Sequence, residues 1–168
     1  MRILIFVVSI LFTLAAGAQM NTPNHRQGAP FRAKLSPPHA EGTVLVVTGQ
    51  VRDAQGQGVA SALLDAFQAD AKGDYDTKGN NYRARIMTDE QGRFEFETIV
   101  PSNYGPPPHI HFIVSADGFK DKSTEMFFID AEHPTNSSPE LTPKLEERRA
   151  SGKPYLVAKF DIELARAG

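Results

Sequence analysis

Short runs of alternating hydrophobic and polar residues recur along this chain, and they predict β-strands. The clearest run lies at 93–99, where two phenylalanines and an isoleucine alternate with charged and hydroxyl side chains. Because successive side chains of a strand point to opposite faces, Phe94 and Phe96 are expected to be buried and their charged neighbours to face solvent. Further strands are predicted at 43–52, 59–69, 109–116, 125–129 and 155–164.

Turn-forming residues separate these runs. Clusters at 53–58 and 88–92 are rich in Gly, Asp and Gln and predict turns. The segment 70–85 is polar and is predicted to be a loop. Gly49 is a candidate β-bulge. Thr142 followed by Pro143 predicts a short helix running to Ala150, because threonine caps helices and proline favours their first position. Together these elements predict an all-β fold, an antiparallel β-sandwich with one short C-terminal helix.

The N-terminus has the features of a secretory leader. A basic start is followed by an apolar run of about a dozen residues and by the small-residue cleavage pattern Ala16-Gly17-Ala18. The apolar run is shorter than the about 20 residues that a membrane-spanning helix needs. The predicted organisation is a signal peptide at 1–18, an extended arm or linker at 19–42 and one β-sandwich domain at 43–165, exported to a periplasm or outside the cell.

Composition narrows the function classes. The chain has 18 basic and 20 acidic residues. Losing Arg2 with the leader leaves 17 basic residues and a formal charge of −3, which provides no basic surface for nucleic acid. The absence of cysteine excludes disulfides, thiolate metal sites and a cysteine nucleophile. The composition leaves a homo-oligomer open.

His109-Ile110-His111 is the strongest candidate for chemistry. On a strand, residues i and i+2 share a face, so both imidazoles are expected to point to one place. With Tyr75 and Tyr104 they form a nitrogen and oxygen donor set that suits iron, and phenolate favours the ferric state. The alternatives are two exposed histidines on an edge strand, and Tyr82 in place of Tyr75 in the same polar segment.

Four motifs, in order along 43–165, resemble those of the intradiol ring-cleavage dioxygenases. They are Gly49-x-Val51-x-Asp53-x-x-Gly56, the run from Ala66 to Gly73-x-Tyr75, the run from Thr88-Asp89 to Pro101-x-x-Tyr104, and His109-Ile110-His111-Phe112. Phe127-Phe128 and the closing Phe160-Asp161-Ile162 are similar to family elements as well.

The resemblance implies non-haem Fe(3+) held by Tyr75, Tyr104, His109 and His111. It further implies that Tyr104 is catalytic, leaving the metal to accept a proton from the substrate. The reaction expected from the resemblance joins a small aromatic diol with O2 and cleaves the ring to a muconate-type dicarboxylic acid.

The sequence departs from the family in three places. Only four residues separate Tyr104 from His109, where the well-studied enzymes have a longer loop. Pro106 stands where they carry an arginine, and Glu125 aligns with their glutamine. The missing positive charge has three candidate sources, which are Arg83, Arg85 and Arg93.

Two other functions remain open from the sequence. One is a non-catalytic β-sandwich binding module similar to transthyretin-like domains, which share the Gly-x-Val-x-Asp-x-x-Gly opening. The other is a family member that holds iron or a catechol with little turnover, a reading motivated by Pro106.

Overall fold

The computed structural model describes residues 29–103, 105–129 and 138–168, and the statements that follow concern these residues. They form β-strands and one 3-10 turn at Pro139–Leu141. None of their helices is long and apolar enough to cross a membrane. The strands are β1 Arg32–Lys34, β2 Val44–Asp53, β3 Leu63–Gln68, β4 Arg83–Met87, β5 Arg93–Ile99, β6 His109–Ser115, β7 Lys122–Phe127, β8 Leu145–Ala150, β9 Lys153–Lys159 and β10 Ile162–Leu164.

The strands form two sheets, which confirms the predicted β-sandwich. The first sheet has the order β1-β5-β2-β9-β8, with β10 also paired to β2, and the second has the order β4-β3-β6-β7. The second sheet is antiparallel throughout. The first is mixed, because β1 runs parallel to β5, and both β9 and β10 run parallel to β2.

Aromatic side chains from both sheets fill the core. Phe94 and Phe96 of β5 are 2% and 1% exposed, as their alternation predicted. Phe96 lies 6.0 Å, between ring centroids, from Phe112 of β6 in the opposite sheet, and Phe112 lies 5.2 Å from Phe160. Since Ile110 and Phe112 face this core, the alternate residues of β6 must face away from it.

The predicted C-terminal helix is wrong. Residues 145–150 form β8, which pairs antiparallel with β9 so that Ala150 lies opposite Lys153. Ser151 and Gly152 make the connection with φ of 50° and 78°, the conformation that favours tight two-residue hairpin turns. The Ser-Gly pair was the sequence signal for a hairpin, and the Thr-Pro pair at 142–143 precedes a strand instead.

Other boundaries differ in detail. The segment 70–85, predicted to be loop, contains the start of β4, which pairs with β3 along Leu63–Phe67. The closing strand is divided into β9 and β10, because at the division the Asp161 carboxylate accepts the backbone N–H of Gln50 at 3.0 Å. The leader at 1–18 and the first part of the arm lie outside the described residues, whereas Arg32–Lys34 of the arm forms β1 on the edge of the first sheet.

Gly49 is a point of close approach in an uninterrupted ladder. Its pairing with Phe94 continues the register of its neighbours on β2 without an extra residue, so the predicted bulge is absent here. A Cβ at this position would lie 2.6 Å from Cζ of Phe94 and would also clash with the backbone carbonyl of Phe160. The crossing of three chain segments at this point therefore requires glycine.

Gly49→Ala should destabilise the protein by about 1–3 kcal/mol, because the added methyl group must displace backbone as well as a core ring. Chemical denaturation should show a lower midpoint at unchanged slope. Gly168→Ala is the matched control, since a Cβ there meets nothing within 4 Å. Equal midpoints for the two variants would contradict this packing.

Candidate metal centre

Strand β6 carries both histidines on its outer face. The Nε2 atoms of His109 and His111 lie 2.9 Å apart, and the two rings meet edge to face at an interplanar angle of 82°. His109 is buried at 5% exposure, and His111 is half-buried. The predicted convergence of the two imidazoles is thus present in the structure.

Hydrogen bonds on the far side of each ring direct these nitrogens toward one another. Nδ1 of His109 lies 2.7 Å from the carbonyl oxygen of Pro107, and Nδ1 of His111 lies 3.1 Å from Oε1 of Glu125. A carbonyl and a carboxylate can only accept, so these partners assign the ring proton to Nδ1 in both histidines. Each Nε2 then presents a lone pair.

Tyr75 supplies a third donor at the same point. Its phenol oxygen lies 3.1 Å from Nε2 of His111. The loop that carries it is shaped by Asp70, whose Oδ1 accepts the backbone N–H groups of Lys72 at 2.8 Å and Asp74 at 3.0 Å. Gly73 turns the chain with φ of 88°, a conformation that glycine adopts without strain.

Tyr82, the rival to Tyr75, is placed differently. Its backbone N–H donates to the carbonyl of Leu35 at 2.8 Å and its carbonyl accepts from Gln68 at 3.0 Å, so it anchors the start of β4 between two segments. Burial, with smaller contributions from Asp70 and Glu41, raises the pKa of the Tyr82 phenol. A raised pKa opposes the phenolate form that a metal requires.

Tyr104 lies outside the described residues, so its place in the site stays a prediction. Ser102, two positions earlier, donates its backbone N–H to the carbonyl of Asp70 at 3.2 Å. The chain leading to Tyr104 is thereby tied to the loop that carries Tyr75.

Two neighbours of His111 could not be found from the sequence. In the second sheet, Phe67 of β3 and Glu125 of β7 lie directly opposite His111 on either side. The Phe67 ring stacks on the imidazole with centroids 4.7 Å apart and planes at 16°. Neither neighbour can be placed beside His111 without the strand register, which the sequence does not give. For Glu125, the sequence offered one signal, which is its alignment with the family's glutamine.

The donor set fits a transition metal. Two lone pairs 2.9 Å apart repel one another unless a cation or a proton lies between them. Two nitrogens bound cis to one ion at about 2.0–2.1 Å would themselves be about 3 Å apart. Burial first, and the neighbouring His109 second, lower the pKa of His111. The ring therefore stays neutral and able to donate its lone pair at neutral pH.

Glu125 belongs to the same cluster but not to its centre. One ligand atom from each of His109, His111 and Glu125 lies within 4.8 Å of the others. The carboxylate, however, contacts Nδ1 of His111, the nitrogen on the other side of the ring from the Nε2 that faces His109. Glu125 is therefore placed to hydrogen-bond a proposed metal ligand and not to bind the metal itself.

The three arginines considered as charge sources are all engaged by aspartates. Arg93 pairs with Asp89 at 2.7 Å and belongs to the first sheet. Arg83 lies in the row of His111, with its guanidinium 5.2 Å over the Phe67 ring. It pairs with Asp65 through two hydrogen bonds of 2.8 and 2.5 Å, and Arg85 lies 3.7 Å from the same carboxylate.

A cavity of about 810 Å³ begins two residues beyond His111 on the same strand. Ile113, Leu63 and Met87 line part of it. These side chains lie on the outer face of the second sheet, since they alternate with core residues along their strands. The face that carries the histidines therefore continues into a groove that is lined by both apolar and charged side chains.

Comparison with known proteins identifies the family of the chain. A family model described as Dioxygenase matches residues 20–166. Catechol 1,2-dioxygenase 2 of Acinetobacter lwoffii is 30% identical over 144 residues, which cover 66% of this chain and 52% of that protein. Hydroxyquinol 1,2-dioxygenase of a Rhizobium species is 31% identical, covering 72% of this chain and 56% of that protein.

Solved structures give the same result. The 3-chlorocatechol 1,2-dioxygenase of Rhodococcus opacus superposes with a TM-score of 0.73 at 28% identity, covering 86% of this chain and 70% of that one. The dioxygenase domain of a carbohydrate-binding fusion from a cellulolytic Streptomyces gives a TM-score of 0.69 at 31% identity, covering 89% and 97%. The chain therefore belongs to the intradiol ring-cleavage dioxygenase family. It spans about half the length of the first two relatives.

His109→Ala and His111→Ala should each weaken binding of a first-row transition metal. The loss should exceed the about 10–100-fold that removal of a ligand's hydrogen-bond partner costs, because a donor atom itself is lost. Metal content after dialysis against a chelator measures this. His39→Ala is the control, since His39 is exposed. Full metal content in either variant would contradict a centre at β6.

Proposed function

We propose that this protein is a non-haem Fe(III) intradiol dioxygenase that inserts both atoms of O2 into a catechol-type aromatic and yields a muconate-type product. The observation that carries the proposal is that Nε2 of His111 lies 3.1 Å from the Tyr75 oxygen and 2.9 Å from Nε2 of His109. Tyr104 is the proposed fourth ligand. The relatives' names, which include catechol, chlorocatechol and hydroxyquinol dioxygenases, support an aromatic diol as substrate.

The proposed ligands differ in charge, and each kind has a different role. Bound ferric iron would supply Lewis-acid chemistry, lowering the pKa of the phenols it contacts and holding the diol in place. Tyr75 contributes an anionic oxygen, whereas the two imidazoles remain neutral donors oriented from behind by Pro107 and Glu125.

Two protons must leave the diol when it chelates. Tyr104 would accept one of them, acting as both a ligand and a general base, and hydroxide from solvent would accept the other. Its loop is short, because Gly105 and three prolines are all that separate it from His109. A short loop leaves more room for the substrate, which favours a diol with a bulky substituent.

A second candidate function is a family member that binds iron and a catechol with little turnover. Pro106 at the position of the family's arginine motivates it. Arg83, the arginine in the row of His111, is held by Asp65, which accepts two hydrogen bonds from its guanidinium, so Arg83 is directed to that carboxylate. Asp65 itself is only 3% exposed, so the pair is held on the sheet.

The experiment that separates these functions measures oxygen uptake and colour together. Purified iron-loaded protein should show a visible tyrosinate-to-iron band that shifts when a catechol is added without air. On aeration it should consume one O2 per ring and release a muconate-type product, detected by mass spectrometry. A shifted band without oxygen uptake, across a broad panel of catechols, would favour the second function. A colourless protein without iron would contradict both.

Tyr75→Phe should abolish or strongly weaken the visible band, because it removes a phenolate donor without changing the size of the ring. Tyr82→Phe is the matched control from the same segment and should keep the band unchanged. Absorption spectra of both proteins, loaded with one equivalent of iron, measure this. The reverse result would move the ligand assignment to Tyr82.

The proposal also includes export through the leader at 1–18 and leaves a homo-oligomer open. Expressed with its native N-terminus in a bacterial host, the protein should be recovered outside the cytoplasm. Sequencing of its N-terminus should start at Gln19. Recovery of an intact Met1 terminus in the cytoplasm would contradict the export proposal.

A further inference from the structure

We propose that Glu125 is a positioning residue of the metal centre. In this role its carboxylate fixes the proton of His111 on Nδ1, presents Nε2 to the metal and makes the imidazole a more electron-rich donor. The inference rests on the proposed function, because it assigns Glu125 a role toward the metal that Tyr75, His109 and His111 would hold.

The backbone holds Glu125 in this place. His111 and Glu125 lie directly opposite one another in the antiparallel ladder of β6 and β7, so their side chains leave the same face of the sheet. Met126, the next residue of β7, is fully buried in the core and anchors the strand. Oε1 of Glu125 lies 3.1 Å from Nδ1 of His111, within hydrogen-bond distance.

The contact differs from an ordinary surface ion pair. The side chain of His111 is 25% exposed and that of Glu125 40%, and Nε2 on the opposite side of the ring faces His109 and Tyr75. The carboxylate therefore meets the ring at Nδ1, the nitrogen that does not face the other donors. In metal sites this arrangement orients the ring and raises the basicity of the ligand.

A stack on the other side completes the positioning. Phe67 packs flat against the His111 ring at 4.7 Å, and Arg83 covers Phe67 from the next strand at 5.2 Å. The ring plane of His111 is thus fixed by Phe67 while the rotation within that plane is fixed by Glu125. Without the carboxylate, the stack alone does not select which nitrogen faces the metal.

The charge of Glu125 adds a consequence that a neutral amide would not produce. A glutamine, which the family carries at the aligned position, can accept a hydrogen bond from the Nδ1–H group but brings no negative charge. A carboxylate transfers more electron density through the imidazole, so it favours the ferric state. A more electron-rich iron accepts charge from tyrosinate less readily, which places the tyrosinate-to-iron band at higher energy.

The first test compares Glu125→Gln with wild type in ferric protein. The variant should bind Zn²⁺, used as a redox-inert probe in chelator competition, about 10–100-fold more weakly. Its visible band should move to longer wavelength and its ferric-to-ferrous reduction potential should rise. Glu163→Gln is the matched control, because Glu163 is an exposed strand residue of β10, and it should change none of these.

Three outcomes would overturn the proposal. Unchanged Zn²⁺ affinity and band position would make the contact incidental. Loss of metal as complete as in His109→Ala would make Glu125 a direct ligand. A lowered unfolding midpoint of metal-free Glu125→Gln, at unchanged metal affinity, would make its role structural.

A second test needs no metal. Nitrogen-15 NMR of metal-free wild type should show His111 with its proton on Nδ1, whereas metal-free Glu125→Ala should show a mixture of the two tautomers. If the tautomer is fixed as expected but wild type never binds iron, the proposed function fails and the positioning contact remains. If the tautomer is mixed in wild type, the positioning inference fails independently of the enzyme's activity.

Discussion

The alternation of side chains along β6 is the constraint on which the rest of the centre depends. Ile110 and Phe112 are fully buried between the sheets, and this burial turns His109 and His111 to the outer face. A shift of the strand by one residue would place two imidazoles in an aromatic core and expose two large apolar side chains. The hydrophobic energy of the sandwich therefore sets the face from which the proposed ligands project, whereas the contacts with Pro107 and Glu125 orient the two rings on that face.

Register across the second sheet builds the surroundings of the centre in the same way. One row of opposed residues crosses all four of its strands, from Arg83 through Phe67 and His111 to Glu125. Each member touches the next, through a cation–π contact, a ring stack and a hydrogen bond. The row brings a cation, an aromatic face and a carboxylate to one imidazole although its four residues are spread over 67–125 of the chain.

Local signals predicted much of this structure. The alternating runs located β2, β5 and β6, and the His-x-His spacing predicted the shared face of the two imidazoles. The helix at 142–150 was wrong because Thr-Pro satisfies local capping rules, whereas the Ser151-Gly152 turn and the pairing with β9 decide the conformation. The start of β4 was predicted to be part of the loop at 70–85, because its side chains Arg83 and Arg85 are polar. They lie on one face of the strand, where both pair with Asp65. Glu125 and Phe67 could not be assigned beforehand, because their roles arise only from cross-strand register.

Electrostatics explains why these donors could hold a metal ion. In a protonated pair, two imidazolium ions would repel one another at this separation, and burial already disfavours the charge on His111. In the neutral pair, acceptors behind both rings leave two lone pairs facing each other. A cation between the two Nε2 atoms would relieve the repulsion of the neutral pair. The negative charges that would balance a ferric ion are phenolate at Tyr75 and, on the far side of the His111 ring, the carboxylate of Glu125. In the proposed role, that carboxylate would add charge to the centre without occupying a position that a diol or O2 would need.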